Sequence, residues 1–352
     1  MTLLTFLACR SPAPPPPVDP PVDYGAPGPF SVGYTASAIT WSGGPQVAPR
    51  TNRLAAWFPT DDTAGDSIVY DGLFPAGPEV LGGATPTDRP LPLVVFSHGH
   101  QGYAENSSFL AEHFASHGWL VLSPDHTGNT TFDGPERDTA IYWQRPLDLS
   151  ATLDHAEAEY LLEGPRVVVG HSFGGYTAHA TGGARYVADP CPAGPDGTSF
   201  CSDYDASDAA VFSAGLGDPR VDALVAMAPG DADLFGDGIT ELGVPELLMT
   251  GGLDPGTGGD EVWALLPHPE DRRVHLPLGG HNVFTDFSGA LDPAGAIDPA
   301  VGFRIVSTAA LAFAEWIARG DPAAGAVLDG SRSFGDDAQV LLPGMEPDGA
   351  GG

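Results

Sequence analysis

From Leu91 onward the chain alternates short apolar runs with longer segments in which apolar residues return every three or four positions. LPLVVFS, WLVLSPD, PRVVVGHS, RVDALVAMAP and VPELLMTGG are each almost wholly apolar at their centres and stop at Gly, Pro or a polar residue, the pattern of strands buried on both faces. Between them, SSFLAEHFASHG places Phe109, Leu110, His113 and Phe114 at helical spacing and stops at Gly118. RPLDLSATLDHAEAEYLLEG predicts a helix carrying Leu147, Leu149, Leu153 and Leu161, closed by Gly164, and GGYTAHATGGAR and STAALAFAEWIARG predict two more. Upstream, PFSVGYTASAITW and RLAAWFP read as strands around a turn at GGPQ, followed by a loop over 60–91. Strands alternating with helices of this length imply an α/β fold, a mostly parallel sheet with helices on both faces.

No break in this rhythm divides the chain, so a single domain is expected over 24–320, flanked by an N-terminal segment, 1–23, and a C-terminal tail, 321–352. The N-terminal segment is a short apolar run, MTLLTFLAC, followed by RSPAPPPPVDPPVD, which is too rich in proline to pack a core. A small residue before Cys9 and a polar tether after it resemble a lipoprotein signal with Cys9 as the lipidated residue; a disordered N-terminus is the plainer reading. No run of 18 apolar residues occurs, so anchoring rather than spanning is the expectation.

Charge narrows the partners. The 14 basic residues against 46 acidic ones give a net charge of −32, which repels phosphate backbones and excludes nucleic acid as an expected partner. All 14 are arginine, and the absence of lysine removes Schiff-base, P-loop and Ser-Lys chemistry. Of the three cysteines, Cys191 and Cys201 lie ten residues apart in a Gly- and Pro-rich loop. As a disulfide they would fit an oxidising, secreted or cell-envelope location and contribute roughly 3 kcal/mol; two free thiols are the alternative.

The candidate chemistry centres on VVVGHSFGG. Gly170, His171, Ser172, Phe173 and Gly174 match G-x-S-x-G between a β-branched run and a helix-compatible segment, the setting of a nucleophile elbow. A serine needs a base and an orienting carboxylate, in the chain order Ser, acid, His. His281, on a Gly-rich loop at a strand end, is preferred as base over His179, His268 and His275. Asp254, just past the VPELLMTGG strand, is preferred as acid over Asp231 and Asp233. The oxyanion donors are expected to be the backbone N–H groups of Phe173 and of His100, in the FSHGHQG loop. His98 and His100 lack companion ligands at metal spacing, so no metal or other cofactor is expected in the chemistry, while calcium at the Asp-rich loops stays open. Residues 183–215, with Tyr186, Phe200, Tyr204 and Phe212, are a candidate cap lining an acyl pocket, or else a disulfide-pinned surface insertion.

With these residues in place, the chain resembles the α/β-hydrolase superfamily, and within it the platelet-activating-factor acetylhydrolases and dienelactone-hydrolase-like esterases. PFSVGY, RLAAWFPT, VVFSHGHQG, LAEHFASHGWLVLSPDHTGNT, RPLDLSATLD, VVVGHSFGGYTA and GGHNVFTDF carry the resemblance across most of 29–287. It implies hydrolysis of lipid-like, short-chain or polyester esters through an acyl-enzyme, and it supports His100 and Phe173 as oxyanion donors. The acetylhydrolase acid would follow ALVAMAP, where Ala228 stands; Asp254 instead matches cutinase-like polyester hydrolases. Acyl transfer with the same triad and a non-catalytic surface binding role are the rival readings, and a monomer is expected.

Overall fold

The computed structural model describes residues 22–45, 48–192, 194, 199–254, 256, 258–330 and 334–347; Cys9 and nearly all of the N-terminal tether lie outside them. The chain enters through a long antiparallel pair, β1 (Ser31–Trp41) and β2 (Arg50–Thr60). The segment read as loop over 60–91 holds a small two-stranded ladder, β3 (Val69–Tyr70) with β4 (Phe74–Pro75), and a short strand, β5 (Val80–Gly82), that pairs with β1.

Six parallel strands follow: β6 (Leu91–Ser97), β7 (Leu120–Pro124), β8 (Leu162–His171), β9 (Ala223–Met227), β10 (Glu246–Gly251) and β11 (Arg272–Leu276). A last strand, β12 (Gln339–Leu341), runs antiparallel to β11 and completes a ten-stranded sheet in the order β12-β11-β10-β9-β8-β6-β7-β2-β1-β5. The helices are α1 (Ser108–Ser116), α2 (Thr139–Glu159), α3 (Phe173–Gly182), α4 (Ala206–Ala214), α5 (Gly259–Leu265), α6 (Pro299–Arg319) and α7 (Pro322–Leu328).

Side-chain alternation builds two cores from one sheet. Val94, Phe96, Val167 and Val169 face α1 and α6, while Leu93, Val95 and Val168 face α2 and α3. Helix α6 is long and apolar enough to cross a membrane by length and composition, with a mean hydropathy of 1.4 over 19 residues. Its apolar face, Ile305, Val306 and Ala309–Ala314, is instead buried in the core beside α1 and α7.

Three sequence expectations need correction. Helix α2 begins at Thr139, capped by the Asp138 carboxylate on Ile141 N at 2.9 Å, rather than near Arg145. Pro146 therefore sits inside the helix. The Tyr142 carbonyl, which loses its N–H partner to Pro146, accepts a hydrogen bond from Tyr176 Oη at 2.9 Å and so ties α2 to α3. Second, Leu161 lies beyond that helix and is exposed. Third, the expected C-terminal tail supplies α7 and β12, and Trp263 Nε1 donates to the Met345 carbonyl at 2.7 Å. Residues 322–330 and 334–345 therefore pack with the domain because β11 offers an open ladder edge and α6 an apolar flank.

Candidate active site

The turn between β8 and α3 is strained. Ser172 has φ 56° and ψ −119°, a conformation costly for a residue with a Cβ, and it is held there because its backbone N donates to Met227 O at 2.9 Å and its carbonyl accepts from Gly230 N at 3.0 Å. The flanking glycines are a steric necessity. A Cβ on Gly170 would lie 2.0 Å from the Gly174 carbonyl oxygen, and one on Gly174 would lie 1.9 Å from the Ser97 carbonyl oxygen. The result lifts the Ser172 hydroxyl above the sheet at the N-terminus of α3, whose first N–H groups have no partner within the helix.

Two loops from neighbouring strands meet this hydroxyl. Ser172 Oγ stands 2.9 Å from His281 Nε2, and His281 Nδ1 stands 2.9 Å from Asp254 Oδ2. With Nδ1–H donating to the carboxylate, Nε2 is left to accept the Ser172 proton. Asp254 follows β10 and His281 follows β11, and the two loops are packed backbone to backbone. Leu253 N donates to Gly279 O at 2.9 Å, and a Cβ on Gly251 would stand 2.5 Å from that same oxygen. The paired-glycine doublets at 251–252 and 279–280 thus permit the approach that brings acid and base together.

The competitors lie elsewhere. Asp231 pairs with Arg137 at 2.7 Å and Asp233 is exposed, while His179 is buried against Glu246 at 3.0 Å. His268 bonds the Leu242 carbonyl and His275 pairs with Thr250.

The loop after β6 closes the other side. Gly99 packs directly on the elbow, with its Cβ direction 3.3 Å from Ser172 Cβ. His100, Ser172 and His281 line one cleft of about 220 Å³, with Gln101, Phe287 and Leu291 at its wall. Larger cavities of about 550 Å³ lie beside Asp254 and under α4, and neither contains Ser172. The His98 ring is buried and donates or accepts only within the fold, to Gly99 O and from His126 N, and burial pushes it well below the ordinary imidazole value. No cluster of three metal-ligating side chains occurs among the described residues.

The aromatic residues expected to line an acyl pocket do not reach the cleft. Tyr186, Phe200, Tyr204 and Phe212 stack on one another, with Phe200 also against Tyr142 and Tyr186 against Tyr176 and Phe235. Cys191 and Cys201 form a disulfide that secures this layer. The described part of the segment packs over α2 and α3.

Two supporting residues escaped the sequence reading. His171 Nε2 donates to the His281 carbonyl at 2.8 Å, fixing the base from below; burial, then the neighbouring His281, push its imidazole down to about 3. Asp286 accepts from Ser108 N at 2.8 Å and Ser108 Oγ at 2.7 Å, pinning the loop after His281 to the start of α1. Burial raises its carboxyl to about 6. The His171 signal was in plain view as the variable residue of the elbow, but its partner is 110 residues away.

A parallel sheet wound by helices, a strained serine after a central strand, and acid and base on successive strand ends define the α/β-hydrolase fold, which this chain has. Residues 88–191 match the family described as Serine aminopeptidase, S33, a stretch that holds His100, Ser172 and Phe173 but ends before Asp254. The chain is 35% identical over 110 residues to a monoacylglycerol lipase of Mycolicibacterium smegmatis, covering 30% of this chain and 37% of that protein, so the match spans little more than a third of the relative. Among solved structures, a ferulic acid esterase from Streptomyces cinnamoneus superposes with a TM-score of 0.65 at 21% identity, over 90% of this chain and 98% of that one.

Proposed function

We propose that the protein is a serine carboxylic-ester hydrolase working through an acyl-enzyme. The observation that carries this reading is the hydrogen-bonded series Ser172 Oγ, His281 Nε2, His281 Nδ1, Asp254 Oδ2, each contact 2.9 Å, opening on a cleft beside His100. The partial likeness to a lipase and the fold of an esterase support it.

Ser172 attacks the ester carbonyl carbon as its proton passes to His281 Nε2, and the carbonyl π pair moves onto oxygen. Asp254 holds the imidazole in the accepting tautomer and stabilises the imidazolium. The N–H groups of His100 and Phe173 receive the oxyanion. Collapse expels the alcohol, which takes the proton from His281; water then repeats the sequence and releases the acid. Asp254 after β10, rather than an acid at Ala228, supports the cutinase-like arrangement. The substrate range is short-chain, lipid-like and polyester esters. The Cys191–Cys201 disulfide supports an oxidising location, secreted or at the cell envelope.

Turnover of p-nitrophenyl acetate and butyrate by the parent and by Ser172→Ala tests the reaction. Normal turnover by the variant would exclude it. A p-nitrophenyl chain-length series with a polyester film then ranks the substrates.

A further inference from the structure

We propose that Arg145 is the positioning residue of the oxyanion hole, a single buried guanidinium that holds from behind the two chain segments carrying the donor N–H groups. The inference rests on the ester-hydrolase reading of Ser172. Arg145, on α2, is fully buried, and the oxygens it donates to are neutral. Its Nη2 donates to the His98 carbonyl and to Ser97 Oγ at 3.1 Å, and its Nη1 donates to Asn129 Oδ1 at 2.7 Å. Asn129 Nδ2 in turn donates to His100 Nδ1 at 2.9 Å. The 98–100 segment is therefore gripped at the carbonyl two residues before the His100 N–H and again at the His100 ring.

The same guanidinium reaches the residue that carries the second donor. Arg145 Nε donates to Thr177 Oγ1 at 3.1 Å, Thr177 Oγ1 donates to the Phe173 carbonyl at 3.0 Å, and the guanidinium plane lies over the Phe173 ring at 4.6 Å. A planar five-donor fork can hold four acceptors and stack at once, which an ammonium cannot. Burial pushes the Arg145 pKa down to about 9, which leaves the group charged at neutral pH. Its charge then favours negative charge developing on the far side of the peptides it holds.

The test uses Arg145→Met, Arg145→Lys and, as a milder lesion, Asn129→Ala, each checked for folding by thermal melt. Readouts are kcat and KM on p-nitrophenyl butyrate per titrated active site, and Ki for phenylboronic acid, whose serine adduct carries a tetrahedral oxygen in the oxyanion position. Removing one oxyanion donor costs roughly 10²–10³ in rate, so a displaced hole is expected to lower kcat of Arg145→Met about 10- to 100-fold with KM changed less than about 3-fold. Boronate Ki should rise by a similar factor, and Asn129→Ala should fall between Arg145→Met and the parent. Partial unfolding would lower the active fraction and leave Ki alone. If Ki and kcat per active site stay within about two-fold of the parent in Arg145→Met, or in Asn129→Ala should Arg145→Met not fold, the inference is overturned. Ser172→Ala separates the two levels: loss of its turnover together with parental Ki in the Arg145 variant refutes the positioning role alone, whereas retained turnover removes the ester-hydrolase reading beneath it.

Discussion

Among the described residues stand two Ser–His–Asp chains of nearly equal geometry, on neighbouring strands of the sheet. In the first, Ser172, His281 and Asp254 are linked at 2.9 and 2.9 Å; in the second, Ser97, His126 and Asp148 are also linked at 2.9 and 2.9 Å. Hydrogen-bond length therefore does not separate a candidate nucleophile from a structural hydroxyl. Surroundings do. Ser172 sits at φ 56° on an open cleft, and its His281 is about a third exposed at 35%. Ser97 ends a regular strand, is fully buried, and already accepts from Arg145 Nη2 at 3.1 Å.

The two carboxylates differ in the same way. Asp148 accepts from Trp41 Nε1 at 2.8 Å, Arg50 Nε at 2.8 Å and Asn52 as well as from His126, so it neutralises an interior cation and completes a packed network. Burial, then Arg145 and Arg50, hold the His126 imidazole well below its ordinary value, so it resists taking up a second proton. The sealed chain is a brace beneath the loop after β6, and the open one is the candidate for chemistry.

The sharpest way to break this distinction is to delete each hydroxyl. Ser172→Ala is expected to lose roughly 10⁴-fold or more in kcat with little change in melting temperature. Ser97→Ala should lose roughly 1–2 kcal/mol of stability, because it strands the His126 Nε2 acceptor and an Arg145 donor, and should keep activity within about an order of magnitude. Equal losses from the two changes would erase the contrast.

Neutralising the acids comes next. Asp254→Asn should cost roughly 10³–10⁴-fold in kcat while the melting curve holds. Asp148→Asn leaves Arg50 buried beside an amide and should cost about 3–5 kcal/mol in a urea titration. A silent Asp254→Asn would return attention to Asp231 and Asp233.

Smaller effects concern the supports. The folded His171 value near 3 lies below the ordinary 6.5, so as pH falls the unfolded chain takes up the proton first. That share of stability is complete above pH 6.5 and is lost as pH falls from 6.5 toward 3, roughly 3 kcal/mol by pH 4. His171→Gln can still donate to the His281 carbonyl and should flatten the acid limb of the melting temperature between pH 6.5 and 4; an unchanged limb would refute the burial argument. Replacing Cys191 and Cys201 together by Ala should cost about 2–3 kcal/mol and spare kcat, since the aromatic layer they secure lies away from the cleft.

Much of this was legible in the chain because it is local. Apolar runs ended by Gly or Pro mark β6 to β10, and Gly170 and Gly174 flank Ser172 at a spacing that a sharp strand-to-helix turn requires. Asp254 and His281 could be chosen by chain order and by their place after strands. The helix start at Thr139 was hidden because a proline is locally unfavourable inside a helix, and the bond that Pro146 removes at the Tyr142 carbonyl is replaced by Tyr176 from another helix. Tyr186, Phe200, Tyr204 and Phe212 looked like pocket lining because aromatic composition says nothing about which way a side chain packs.

The sequence by itself determined the α/β rhythm, the strained elbow and the order of its partners, since each follows from spacing within a few residues or along strand ends. Only the tertiary structure decided which of two Ser–His–Asp chains opens to solvent, and that Arg145, His171 and Asp286 stand behind the open one. Those choices depend on burial and on contacts between residues far apart in the chain, where local periodicity carries no information and desolvation and packing set the outcome.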